Sequence, residues 1–112
     1  MIIDIHAHLW DPDKTPVNLQ KYFSKRNINQ DGTSIFTAEG LLQSMTQAGI
    51  DHTVVSALPF SPEWDNEIIK PVNDYVIDQV KKSGGKLTGF CTVDAFGGES
   101  SVYLLRECIE VK

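Results

Sequence analysis

Two histidines one residue apart, His6 and His8, end an apolar opening segment, Met1-Ile2-Ile3-Asp4-Ile5. If that segment is a strand, its period of two puts both imidazoles on one face. Two imidazole nitrogens on a rigid strand make half of a transition-metal site. The chemistry this suggests is that of a metal-dependent hydrolase or lyase. Alternation also puts Asp4 on the histidine face, one pleat deeper, where a carboxylate could hydrogen-bond a neighbour or support a ligand ring. The other set, Ile3, Ile5, Ala7 and Leu9, is wholly apolar and is expected to pack on helices. Burying an ionisable face costs several kcal/mol, about 2 or more per group, unless something pairs it. A bound metal ion would offset that cost.

The elements that must position these groups follow from the rest of the chain. Ile2 to Leu9 reads as the first strand. Residues 10–36 are polar and irregular, with Asp11-Pro12 and Asp31-Gly32 as turn signals. Leu19, Tyr22 and Phe23 have helical spacing within this stretch, and connections of such length often serve as lids or binding loops. Thr37 is an N-cap for a helix to about Ala48, with Ala38, Leu41, Leu42, Met45 and Ala48 as its apolar stripe. Gly49 suits the left-handed C-terminal position, with Ile50 folding back. His52 to Leu58 reads as a second strand, broken by Pro59-Phe60-Ser61-Pro62. A helix follows over roughly Asn66 to Ser83. Pro71 fits a first turn better than an interior, which moves the expected start toward Lys70. Val72, Tyr75, Val76 and Val80 form its buried stripe, and Gly84-Gly85 stops it. Lys86 to Val93 is the third strand, and about Ser100 to Glu110 the last helix, with Val102, Leu105 and Ile109 on one face.

The order is therefore βαβαβα in a single partial domain spanning residues 1–112. This order implies an α/β fold with parallel strands and right-handed crossovers. Either a small open sheet with helices on both faces or the first part of a (β/α)8 TIM barrel satisfies it. In both, functional groups collect beyond the C-terminal ends of the strands, where His6 and His8 fall. His52 begins the second strand, at the opposite end, and reads as an exposed histidine rather than a third ligand. Asp94 ends the third strand on the correct side, but a cap for the Gly97-Gly98 turn is the better reading. Trp10, Phe60 and Trp64 lie in loops on the metal side. Trp10 and Phe60 are candidate substrate contacts, although each taken alone reads better as a packing anchor for its own loop. Lys21, Lys25 and Arg26 read as a solvated helix face.

Composition sets the outer bounds. The 112 residues are 41% hydrophobic and 22% charged, with a formal net charge of -5, as in a globular domain with a real core. The acidic balance argues against general nucleic-acid binding. No apolar run approaches the ~20 residues that cross a bilayer, and the opening residues lack the basic stretch and long apolar run expected of a secretory signal. Neither membrane nor nucleic acid is an expected partner, and a cytoplasmic location is the default. Cys91 and Cys108 have no paired spacing and read as two mostly buried free thiols.

The opening Ile2-Ile3-Asp4-Ile5-His6-Ala7-His8-Leu9 resembles the first strand of the amidohydrolase-related family. This is the branch of the metal-dependent hydrolases that includes aminocarboxymuconate-semialdehyde decarboxylase. Leu41 to Asp51, ending in Ala48-Gly49-Ile50-Asp51 before an apolar strand, is similar to the same family, as are Asn73 and Gly89-Phe90-Cys91-Thr92-Val93-Asp94. The resemblance implies a (β/α)8 barrel with a metal, usually zinc, at its mouth, held first by His6 and His8. It implies a small-molecule substrate and either hydrolysis or decarboxylation. The family's later ligands, a histidine and an acidic residue from further strands, have no counterpart in this sequence, which holds three of eight barrel units. The expectation is an N-terminal part of such an enzyme, inactive alone. The alternatives are a non-catalytic fragment that self-associates or takes its missing strands from a partner chain, and a small open α/β binding module.

Overall fold

The computed structural model describes residues 1–11, 37–57 and 65–110. Three strands, β1 (Ile3–His8), β2 (His52–Ser56) and β3 (Leu87–Phe90), form one parallel sheet in the order β1-β2-β3. Three helices accompany them: α1 (Ala38–Ala48), α2 (Asn66–Lys82) and α3 (Glu99–Glu110). The helical spacing at Leu19, Tyr22 and Phe23, most of the 10–36 loop, the Lys21, Lys25 and Arg26 cluster, and the aromatics Phe60 and Trp64 lie outside the described residues.

The helix ends follow local chemistry. The Thr37 hydroxyl accepts from the Gly40 amide at 3.2 Å and starts α1. Gly49, at φ 71°, ends it, and Ile50 donates back to the Met45 carbonyl at 2.9 Å. That left-handed turn is open to glycine at little steric cost. Asp65 caps α2, accepting from Glu67 and Ile68 at 3.0 and 3.1 Å. This cap corrects the expected start near Lys70: the helix begins at Asn66 and carries Pro71 in its interior. A proline there removes one ladder donor, but Asp65 supplies two bonds to orphan amides just upstream and holds the first turn.

One core runs through all three helices. Ala38 and Met45 from α1, Ile69, Val72 and Val76 from α2, and Leu104 from α3 pack with Leu9, Val55, Ala57 and Leu87. Val55 and Thr53 lie two apart on β2, and Leu87 pairs with Thr53, so these residues share one face of the sheet. On the opposite face Ile3 and Phe90 are 51% and 63% exposed, and none of the three described helices packs there. Among the described residues the three helices thus cover one face, the arrangement of a barrel wall and not of a doubly wound sheet. The stripes hold in part, since Ala48, Val102, Leu105 and Ile109 are exposed. The strands are shorter than their apolar runs, β3 ending at Phe90 instead of Val93.

Strand β1 departs from simple alternation. Asp4 pairs with Thr53 and Ala7 with Val55, so three steps on β1 match two on β2. One extra residue between Asp4 and Ala7 makes a bulge. Directly paired residues in a sheet share a face, and a one-residue slip exchanges faces. Asp4 therefore falls on the face of Ala7, not on that of His8. The expected apolar set splits in the same way: Ala7 and Leu9 meet the core, whereas Ile3 and Ile5 are 51% and 77% exposed.

Thr53 is 0% exposed, and among the described residues its hydroxyl has no hydrogen-bond partner. An unpaired buried hydroxyl costs about 1–3 kcal/mol. Thr53→Val keeps the branched shape and is expected to stabilise the chain by about 1 kcal/mol, read as a higher urea midpoint. A lower midpoint would mean that the hydroxyl is satisfied in solution.

Candidate metal centre

His8 closes β1 opposite Ser56, the last residue of β2. Both therefore sit at the C-terminal rim of the sheet. The two rings meet edge to face, with centroids 4.9 Å apart, and Nε2 of His6 lies 3.1 Å from Nε2 of His8. Two nitrogens bound at about 2.0–2.1 Å to a tetrahedral zinc would be about 3.3 Å apart. The pair thus presents its nitrogens at close to the spacing of two neighbouring ligands, on the open face of the sheet.

His8 is half-buried and His6 exposed. Burial holds the His8 imidazole below its ordinary pKa; a hydrogen bond to the Ser56 main chain works the other way, and the nearby His6 ring lowers it further. A neutral ring at neutral pH is the form that binds a metal. Nδ1 of His8 lies 3.2 Å from the Ser56 hydroxyl. Ser56 lies inside the apolar stretch Val54-Val55-Ser56-Ala57-Leu58, and only the β1–β2 register brings it to His8, so the sequence alone gave little signal for it.

Asp4 does not take up the supporting role. Its Oδ1 accepts from the His6 main-chain amide at 3.1 Å. The carboxylate thereby pairs a backbone group at the bulge, where the ladder is disrupted.

The remaining candidates disperse. His52 sits opposite Ile3 at the far end of the sheet. It is half-buried rather than exposed: Nδ1 donates to the Gly85 carbonyl at 3.1 Å, and the Thr88 hydroxyl lies 2.9 Å from Nε2. Asp94 serves its own turn, accepting from Phe96 N–H at 2.9 Å through Oδ1 and from Gly97 N–H at 3.1 Å through its carbonyl. Trp10, two residues beyond His8, is 6% exposed. Phe60 lies outside the described residues. Both cysteines are free and half-buried; burial, aided by the Cys108 thiol, pushes Cys91 up to about 12, so it remains an inert thiol. Among the described residues, no three His, Cys, Asp or Glu side chains group as a metal site. A cavity of about 460 Å³ opens between α2, β3 and α3, lined by Val76, Val80, Phe90, Leu105 and Ile109 among others. Among the described residues that line it there is no histidine and no residue of β1.

A solved structure, reported as "Crystal structure of a putative amidohydrolase from Staphylococcus aureus", matches 98% of this chain with a TM-score of 0.69 and 17% identity. This chain has the fold of one part of that solved chain. The matched part is 34% of the solved chain, so the present sequence spans about a third of that relative's length. At this identity the likeness concerns the fold: a parallel β1-β2-β3 sheet with helices on one face, an incomplete (β/α)8 wall. No family model matches the chain, and no curated protein matches it. Among the described residues no helix is long and apolar enough to cross a membrane.

Proposed function

We propose that His6 and His8 are two ligands of a divalent metal, with zinc the best fit, in a metal-dependent hydrolase or decarboxylase of the amidohydrolase-related kind. The observation that carries this reading is the 3.1 Å approach of the two Nε2 atoms at the C-terminal rim of a barrel-like sheet. The fold likeness to an amidohydrolase supports it. A bound metal would supply Lewis acidity toward a substrate carbonyl or carboxylate, or toward water. The chain's own part is to hold two neutral imidazoles at fixed spacing on β1. A catalytic zinc takes three protein ligands and keeps one open position; on this reading His6 and His8 are two of them, and any third comes from outside the described residues. We propose on the same ground that the chain alone turns over no substrate.

Titration of the chain with Zn²⁺ or Co²⁺, followed by calorimetry or by cobalt absorption, tests the assignment. One equivalent should bind saturably, and His6→Ala and His8→Ala should each abolish it. His52→Ala should leave it unchanged. Equal binding by wild type and the His6 and His8 variants, or none by wild type, would overturn the reading.

A second reading is favoured by the exposed Ile3 and Phe90 on the sheet and by α3, whose Val102, Tyr103, Leu105 and Ile109 are 52%, 66%, 42% and 56% exposed. On this reading the chain associates with a copy of itself or with a partner that covers these surfaces.

A further inference from the structure

We propose that Cys91 and Cys108 are a site of reversible oxidation, at which a small-molecule disulfide converts the two thiols to an intramolecular disulfide tying α3 to the end of β3. Neither His6 nor His8 takes part, so the site is independent of the metal reading above.

Cys91 follows β3 directly, and Cys108 lies in α3. Both thiols are free and half-buried, and both line the cavity of about 460 Å³ between α2, β3 and α3. They are close enough to hydrogen-bond to each other. Cys91 Sγ is held from two further sides: it accepts from Asn73 Nδ2 at 3.3 Å and lies 3.6 Å from the Thr92 carbonyl. Cys108 packs against the core from α3. The fold thus joins two sulfurs that residues 92–107 separate in sequence. Forming the bond draws them in to about 2.05 Å, and the cavity gives the side chains room to turn.

The order of events follows from the surroundings. Burial and the neighbouring thiol push Cys91 up to about 12, so it carries little thiolate. Cys108 is therefore the opening nucleophile. Its sulfur attacks one sulfur of the small disulfide, whose S–S bond breaks, and one small thiol leaves. Cys91 then attacks the Cys108 sulfur. The protein S–S bond forms, the mixed bond breaks, and the second small thiol leaves with the Cys91 proton. Two protein thiols are oxidised, and the small disulfide is reduced to two thiols. Cys91 is inert by itself, but beside Cys108 it needs no encounter with a reagent.

The test equilibrates the full chain in glutathione redox buffers, followed by acid quench, alkylation and peptide mass mapping. The folded chain should form a Cys91–Cys108 bond that dithiothreitol reverses. Its equilibrium constant against glutathione should be about tenfold or more higher in the folded chain than in urea, since a native fold that matches the bond is stabilised by it. Cys91→Ser should accumulate a mixed disulfide on Cys108, whereas Cys91 in Cys108→Ser should stay reduced over the same time. A circular-dichroism melt checks that both variants fold; if one does not, the wild-type comparison decides alone. An equal or lower constant in the folded chain, or mixed disulfides on both cysteines with no bond between them, overturns the site. A mixed disulfide on Cys91 in Cys108→Ser overturns the order of attack.

Discussion

Asn73→Ala should lower the stability of the chain by about 2–4 kcal/mol, counting two backbone hydrogen bonds and the desolvation of the groups left behind. Asn73 is 2% exposed on α2. Its amide nitrogen donates to the Thr92 carbonyl at 2.7 Å and reaches Cys91 Sγ at 3.3 Å, and its Oδ1 accepts from Thr92 N–H at 3.0 Å. One side chain thus stands in for a strand neighbour just past the end of β3. The Thr92 hydroxyl in turn donates to the Ala57 carbonyl at 2.7 Å, tying the rim of β3 to that of β2. Removing the amide strands both backbone groups of Thr92 and loosens the rim. Urea unfolding would show the loss as a lower midpoint with an unchanged slope. Asn73→Leu should do no better despite filling the space. Asn73→Asp keeps the acceptor for the Thr92 amide but sets a carboxylate oxygen against the Thr92 carbonyl. A drop below about 0.5 kcal/mol for Asn73→Ala, the size of an ordinary surface substitution, would show that water replaces the amide.

Gly97→Ala should cost about 2 kcal/mol by a different route, overpacking of a polar knot. A Cβ at Gly97 would lie 2.5 Å from Asn66 Nδ2 and 3.1 Å from Ser100 Oγ, and closer still to Ser101 Oγ. None of the three can turn aside freely. Asn66 Nδ2 donates to both hydroxyls at 2.7 Å, and its Oδ1 accepts from Asp94 N–H at 2.9 Å. Ser100 donates to the Gly97 carbonyl at 2.9 Å and Ser101 to the Asp94 carbonyl at 2.5 Å. These bonds join the first turns of α2 and α3 beyond β3. The urea midpoint should fall, and amide exchange should rise first at residues 94–101. If Gly97→Ala were neutral, Asn66→Ala should also be nearly neutral, because the knot would then carry little stability.

The helices were legible because their signals are local. Thr37, Gly49 and the Gly84-Gly85 pair punctuate the chain, and the spacing of Leu41, Leu42 and Met45 fixes a face. Pro71 misled because the rule against interior proline is local too, while the Asp65 cap upstream of it settles where the helix starts. The histidine pair was legible from its spacing alone. Its surroundings were not. That Asp4 leaves the histidine face depends on the β1–β2 register, and that Ser56 reaches His8 depends on the same pairing across 48 positions of sequence. Asn73 looked like one residue of a helical passage; its burial and its grip on Thr92 emerge only when α2 lies along β3.

The extra residue in β1 works as a phase shift in a two-beat code. The root of the strand is read on one beat and the tip on the other, so the tip can show histidines outward while the root is paired and zipped to β2 through Asp4. Point substitutions can change what either half presents, but they leave the phase untouched. A single-residue insertion or deletion in that stretch would invert one half against the other. In this short strand, length is therefore the more tightly constrained variable, and composition the freer one.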